Sequence, residues 1–218
     1  MAQRHRLLRV LSEVDPTPRQ LARRSFPGPE VTAVVVYRDS SPPGLGGTVD
    51  AMASAGFDIA AWSLDGHSHP QLDGLMVGSG PSPRFAHFNR LVLDVTPERY
   101  VLLFDDDVVC HRGDAATFVG LAVWFDFDIA QPAHGRGSYA SFPFPRPFPG
   151  HVARQTTFVE IGPLLLLSPR ARREATPFRD EGMGWGTEVD WYLADQAGLR
   201  LGIIDGVEIR HLRPPGSD

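Results

Sequence analysis

The sequence predicts an α/β protein built on a mostly parallel central sheet flanked by helices. Three observations carry that reading. Short apolar runs are bounded by charge, they alternate with helix-like segments between about residues 31 and 132, and aspartates collect where the runs must end.

Residues 31–37 are a β-branched run and read as the first strand, ended by Arg38-Asp39-Ser40 and a Pro/Gly-rich loop. Residues 48–56 suit a helix with a glycine stop. A second strand fits 57–64, closing at Asp65-Gly66-His67-Ser68, and a short third fits 74–77. After the turn Gly78-Ser79-Gly80-Pro81, residues 84–93 have helical spacing. Residues 100–108 form an apolar run interrupted by Asp105-Asp106-Asp107, the pattern of a strand buried on both faces that ends in carboxylates. A helix over 113–122 and a strand over 127–131 follow. Ahead of all these, Leu7, Leu8 and Leu11 have helical spacing up to Asp15-Pro16.

From 133 to 154 the alternation stops and Gly, Pro, Ser and Phe dominate; a patternless segment of this length is functional or mobile. Residues 158–168 are apolar around Gly162-Pro163. A glycine-rich turn over 180–191 leads into a helix reaching Ala197, and 201–204 and 207–212 read as the last strands, with His211 near the end of the second.

Composition narrows the function. The 218 residues suit one sizeable domain or two small ones. A single cysteine, Cys110, excludes an internal disulfide framework and a Cys-rich zinc site. No run approaches the roughly eighteen apolar residues of a membrane span, and residues 1–14 lack the apolar core of a signal peptide. A cytoplasmic protein with no transmembrane segment is the expectation. All 21 basic residues are arginine, so no lysine is present to act as Schiff base, P-loop cation or general base. A phosphate here must be met by arginine, backbone amides or a metal. The net charge of −5 argues against a nucleic-acid partner.

Right-handed crossovers place the carboxyl ends of parallel strands on one rim, where ligands bind in open α/β sheets. The acidic triplet, Asp39 and Asp65 would share that rim. Adjacent carboxylates repel unless something positive neutralises them; a hard divalent cation carrying a diphosphate does so. An acidic helix-capping turn facing water is the competing reading. Asp105 and Asp107, two apart, can aim at one cation, and His211 adds a third ligand if the last strand folds over the rim; otherwise it is a surface histidine. Asp65 can accept from a nucleobase N–H or close its Asp-Gly turn. Arg84 can meet a pyrophosphate at a helix start or stand solvated. In Gly184-Trp185-Gly186-Thr187-Glu188-Val189-Asp190, the glycines allow close backbone approach and Trp185 offers a flat face to a sugar. Glu188 and Asp190 stand at the first turn of a helix, where the dipole favours the ionised form able to take a proton. A capped helix over a core tryptophan uses the same residues.

A strand-terminal Asp-x-Asp, a downstream Gly-Trp-Gly-x-Glu and a late histidine after a strand together resemble the GT-A glycosyltransferases, in particular the small bacterial inverting enzymes of family 2. The resemblance runs over about residues 31–213. It implies a single GT-A-like (Rossmann-like) domain over 1–218, with a nucleotide-sugar-binding half at about 31–132 and an acceptor-binding and catalytic half at about 133–213. It further implies Mn²⁺ or Mg²⁺ on Asp105, Asp107 and His211, and a UDP- or GDP-sugar among Tyr37, Asp39, Asp65, Arg84 and Asp106. An acceptor hydroxyl would lie near Glu160 and Trp185. Glu188 falls where the family places a base or an acceptor-binding carboxylate, but Val189 separates it from Asp190 where many members carry adjacent acids, which leaves the identity of the base open between them. The Gln-x-x-Arg-Trp motif of processive synthases is absent, which argues against polymerisation.

Two other readings use the same residues. A haloacid dehalogenase-type phosphohydrolase also carries strand-Asp-x-Asp, nearly matched by 104–109, but places it near the N-terminus and works with a later lysine. A non-catalytic nucleotide-sugar or glycan-binding domain would keep the fold alone.

Overall fold

Alternate side chains of the first strand, β1 (Val31–Tyr37), enter two different cores. Val31, Ala33, Val35 and Tyr37 pack on one face of the sheet, Val34 and Val36 on the other. Strands β4 (Tyr100–Asp105) and β8 (Leu164–Leu167) divide in the same way, with Leu102, Phe104, Leu164 and Leu166 on the first face and Val101, Leu103, Leu165 and Leu167 on the second. Burial on both faces is why these runs are continuously apolar. Helices α1 (Leu45–Ser54) and α3 (Ala115–Trp124) cover the first face through Leu45, Val49, Met52, Phe118 and Leu121. Helices α2 (Arg84–Leu93) and α4 (Pro169–Ala175) cover the second through Phe85, Phe88, Leu91 and Ala171.

The computed structural model describes residues 28–38, 44–81, 83–178 and 197–214. The helix read at 1–14 and the turn and helix read from 180 lie outside them. The remaining strands are β2 (Asp58–Ser63), β3 (Met76–Ser79), β5 (Val108–Arg112), β6 (Ile129–His134), β7 (Arg154–Thr156) and β9 (Leu201–His211). Among the described residues one continuous sheet runs β3-β2-β1-β4-β8-β6-β9-β5, with β7 also paired to β9.

The α/β class and the central sheet are as expected. Strands β3, β2, β1 and β4 are parallel throughout. The other half is mixed: β8 runs antiparallel to β4 and β6, and β9 is parallel to β6 but antiparallel to β5 and β7. The run 100–108 is two strands, because Asp106 and Asp107 form a turn and Val108 opens β5. Conversely, 201–204 and 207–212 belong to one strand, whose register with β6 shifts around Asp205. Helix α4 was not anticipated, although its start is written in the chain: Ser168 accepts from the Ala171 N–H at 3.0 Å and Pro169 holds the first turn.

The 133–154 segment is irregular yet anchored. Arg146 donates to the carbonyls of Gly135 and Ser138, each at 2.8 Å. Arg154 donates to the carbonyls of Phe144 and Arg146 while its Nε lies 3.2 Å from Asp205, a buried carboxylate that also accepts from the Phe148 N–H. Phe142, Phe144 and Phe158 pack ring against ring with centroids 4.9–5.9 Å apart. Arginine donors here satisfy carbonyls that a strand partner would otherwise meet. No helix among the described residues is long and apolar enough to cross a membrane.

One buried arginine joins two elements of the second face. Arg172 of α4 donates to the carbonyls of Val92 at 3.0 Å, Val95 at 2.8 Å, Thr96 at 2.7 Å and Arg99 at 2.9 Å. These lie at and beyond the end of α2, where carbonyls lack intrahelical partners. Arg172→Ala strands them together, and urea unfolding is expected to show a loss of about 3 kcal/mol, with Arg172→Lys restoring only part of it. A loss below about 1 kcal/mol would mean that water replaces the guanidinium.

Candidate metal centre

β1 and β4 are parallel neighbours from which the chain departs in opposite directions, to β2 on one side and toward β8 on the other. Such a switch point opens a crevice beyond the carboxyl ends of both strands. Register places Val36 beside Asp105 there. Just past this pair, the Arg38 main-chain N–H donates to Asp106 Oδ2 at 3.1 Å, tying the two strand ends together. Asp105, Asp106 and Asp107 are all buried.

Strand pairing delivers the histidine. β5 leaves the acidic turn and runs antiparallel to β9, with Val108 opposite His211. The Leu212 N–H then donates to the Asp107 carbonyl at 2.9 Å. His211 Nε2 stands 3.1 Å from Asp107 Oδ1. Asp105, Asp107 and His211 each offer one ligand atom, and these atoms lie within 4.8 Å of one another.

Two arginines close the cluster. Arg84, at the first position of α2, forms an ion pair with Asp105. Arg213 reaches Asp107 Oδ2 through Nε and Asp106 Oδ1 through Nη2, both at 3.3 Å. Gly162 lies against the first pair: a Cβ there would stand 3.1 Å from Asp105 Oδ2 and 3.3 Å from Arg84 Nη2, so the ion pair would have to shift by a few tenths of an ångström to admit it.

Charge and burial compete at each group. Burial pushes the Asp105 carboxyl up to about 6, against the pull of Arg84 and His211. Burial also acts to raise Asp107, but the hydrogen bond and charge of His211, with Arg213, outweigh it and hold the carboxyl below its ordinary value. His211 is the mirror case: burial disfavours its cation, and Asp107 overcomes that and raises it. Something positive does neutralise the triplet, and in this chain it includes Arg84, Arg213 and His211. Two carboxylates and an imidazole are also a donor set that suits Mn²⁺, and three protein ligands leave positions for diphosphate oxygens.

The other residues singled out in the sequence fall into separate places. Tyr37 is fully buried, and its hydroxyl donates to the His67 carbonyl at 3.1 Å and accepts from the His69 N–H at 3.3 Å. Asp65 stands on the rim past β2, where Oδ1 accepts from the Ser63 hydroxyl at 3.0 Å and the His67 N–H at 3.2 Å, closing the turn. Glu160 is buried, accepts from the Phe142 N–H at 3.0 Å, and faces His134. Burial raises its carboxyl, against the pull of backbone N–H groups from the 141–142 stretch. Asp39, Trp185, Glu188 and Asp190 lie outside the described residues. Arg213 went unread in the sequence, although it follows His211 at the alternate spacing of a strand. His134 and Gln131, buried beside Glu160, carried no signal: Gln131 is a lone polar residue at the end of a short apolar run, and His134 stands where the regular pattern stops.

No protein-family profile and no curated protein sequence matches the chain. Among solved structures it is similar to GalNAc-T7, crystallised with UDP, GalNAc and Mn²⁺, with a TM-score of 0.59 at 12% identity over 87% of this chain. The chain spans 44% of that protein's length. At such low identity the likeness shows the fold alone, and that fold is GT-A-like.

Proposed function

We propose that the protein is a metal-dependent glycosyltransferase that moves a sugar from a nucleotide-sugar to an acceptor hydroxyl with inversion, in the manner of the small family 2 enzymes. One observation carries this reading: Asp105, Asp107 and His211 converge at the switch point of a GT-A sheet. The likeness to a protein crystallised with UDP, GalNAc and Mn²⁺ supports it.

In this reading the chain is one catalytic domain, with the donor over 31–132 and the acceptor over 133–213. Asp105, Asp107 and His211 hold Mn²⁺ or Mg²⁺, and the bound ion would supply Lewis-acid stabilisation of charge on the leaving diphosphate. Arg84 and Arg213, already on the same carboxylates, meet diphosphate oxygens. Asp65, Asp39 and Asp106 line the nucleoside side of a UDP- or GDP-sugar, while Tyr37 acts from beneath by holding the 67–69 loop. Glu188 takes the proton from the acceptor hydroxyl as it attacks the anomeric carbon, with Asp190 the other candidate; Trp185 and Glu160 contact the acceptor. The phosphohydrolase reading has less support, since the triplet ends the fourth strand of the sheet and the sequence holds no lysine to complete that site.

Thermal unfolding against UDP-, GDP-, CDP- and dTDP-sugars, with Mn²⁺ or with chelator, tests the donor site. A rise confined to one nucleotide class and to Mn²⁺ is expected, worth about 2.7 kcal/mol at a hundred times Kd. Asp107→Ala should abolish the rise and His211→Ala should weaken metal affinity at least about tenfold. No shift with any nucleotide in either condition would remove the transferase.

The base has a separate test. Glu188→Gln should keep the donor-induced shift and cut transfer by about 10²–10⁴. Near-normal turnover would assign the proton transfer to Asp190.

A further inference from the structure

Beside the candidate metal ligands, and distinct from them, lies a second polar cluster. Gln131 and His134 of β6 are 1% and 0% exposed, and Glu160 is 8% exposed. A spacing of three would put Gln131 and His134 on opposite faces of a regular strand. The register of β6 against β9 shifts between Pro132 and Ala133, and both side chains meet Glu160.

Their hydrogen bonding is incomplete. Gln131 Oε1 accepts from the Glu160 N–H, which fixes the amide and leaves Nε2 buried without a partner. His134 Nδ1 lies 2.9 Å from the Tyr139 carbonyl, so Nδ1 carries the hydrogen and Nε2 keeps a lone pair. Burial lowers this imidazole to about 4, which keeps it neutral. Nε2 is itself buried and unpartnered, and it faces Glu160 Oε2 at 3.9 Å, beyond hydrogen-bond reach. An acceptor nitrogen thus confronts an acceptor oxygen, and the unused donor Gln131 Nε2 belongs to the amide that binds the Glu160 main chain. Buried polar groups are ordinarily satisfied, so this arrangement calls for a ligand that brings donors.

The surface around the cluster indicates the class of ligand. Glu160 is the member that retains exposure. Phe142, whose N–H is bonded to Glu160, exposes 43% of its surface and is braced edge-on by Phe158 at 5.2 Å. Tyr139, whose N–H donates to the His211 carbonyl at 3.1 Å, exposes 47%. Exposed rings on the segment whose backbone bonds Glu160 suit a ligand ring that is apolar on its face and hydroxylated at its edge.

We infer that Gln131, His134, Glu160, Tyr139 and Phe142 form a carbohydrate subsite. In it, a sugar hydroxyl donates to the Glu160 carboxylate and the C–H face of the sugar lies on an exposed ring, while the buried His134 Nε2 and Gln131 Nε2 stand behind that carboxylate. Its role as the acceptor subsite rests on the transferase reading; its capacity to bind a sugar does not.

Saturation-transfer NMR in chelator and without nucleotide tests the binding. The probes are the methyl glycosides of glucose, galactose, mannose and N-acetylglucosamine, with propane-1,2-diol as a diol lacking the ring. At least one glycoside should receive saturation and the diol none. Phe142→Ala, which removes a half-exposed ring, should weaken the signal severalfold in protein that unfolds cooperatively; Glu160→Gln should weaken affinity at least tenfold. No transfer to any glycoside overturns the subsite, as does binding unchanged in Phe142→Ala, Tyr139→Ala and Glu160→Gln alike. Glycoside binding without any nucleotide-dependent thermal shift keeps the subsite and removes the transferase, while the reverse pattern keeps the transferase and overturns the subsite.

Discussion

The antiparallel pairing of β5 with β9 is what brings the last strand of the sheet to the acidic turn. By leaving β4 through the Asp106-Asp107 turn and lying along β9, the chain sets Val108 opposite His211 and brings the Leu212 N–H onto the Asp107 carbonyl. Backbone hydrogen bonds, not attraction between side chains, therefore carry the imidazole to the aspartates. Arg213 follows from the same strand end. Tyr139 is held there too, because its N–H donates to the carbonyl of His211. The Thr48 hydroxyl donates to the Val108 carbonyl, so helix α1 braces the start of β5. A change that slipped this register by one residue would turn His211 to the opposite face and dismantle the cluster at once.

Charge balance is the second constraint. Three buried carboxylates in sequence would repel strongly, and the chain meets them with Arg84, Arg213, His211 and the Arg38 amide. Removing one member of such a set leaves a buried charge uncompensated, which costs more than the intact pair contributes. An entering divalent cation would compete with the cations already in place, and the proton on His211 Nε2 would have to leave before that atom could ligate. The arginines released in that exchange are the groups suited to meet a diphosphate. Metal plus ligand would thus have to replace cations that the protein itself already supplies to these carboxylates.

Much of this was legible in the chain, for identifiable reasons. Strands β1 and β4 were readable because burial on both faces demands unbroken apolar runs, and α2 because its amphipathic spacing is clean from Arg84 to Leu93. The convergence of Asp105, Asp107 and His211 followed from their places at strand ends. What escaped was non-local or too short for periodicity to register. Strand β5 was hidden inside an apolar run because two aspartates suffice for a turn, and α4 spans only seven residues. The mixed half of the sheet depends on which strand finds which partner, and composition does not record that. Asp65 fills the turn role that Asp-Gly always allowed, and Tyr37 uses its hydroxyl internally. Of the Glu160 cluster, only Glu160 itself was read.

The 133–154 segment shows why composition misleads about order. Its Gly, Pro and Phe content has no strand or helix period, which is the signature of either a mobile loop or a functional one. In the folded chain four of its backbone carbonyls, those of Gly135, Ser138, Phe144 and Arg146, accept from Arg146 and Arg154, and Arg154 is held in turn by the buried Asp205. A guanidinium carries five donors in a fixed fork, so two arginines can immobilise a segment with no regular structure. That anchoring bears on function more than mobility would. Tyr139 and Phe142 stand on this segment with their rings exposed, and an exposed ring on a fixed backbone loses little entropy when a ligand stacks on it. The irregular stretch is therefore better understood as a preformed surface than as a lid that must first become ordered.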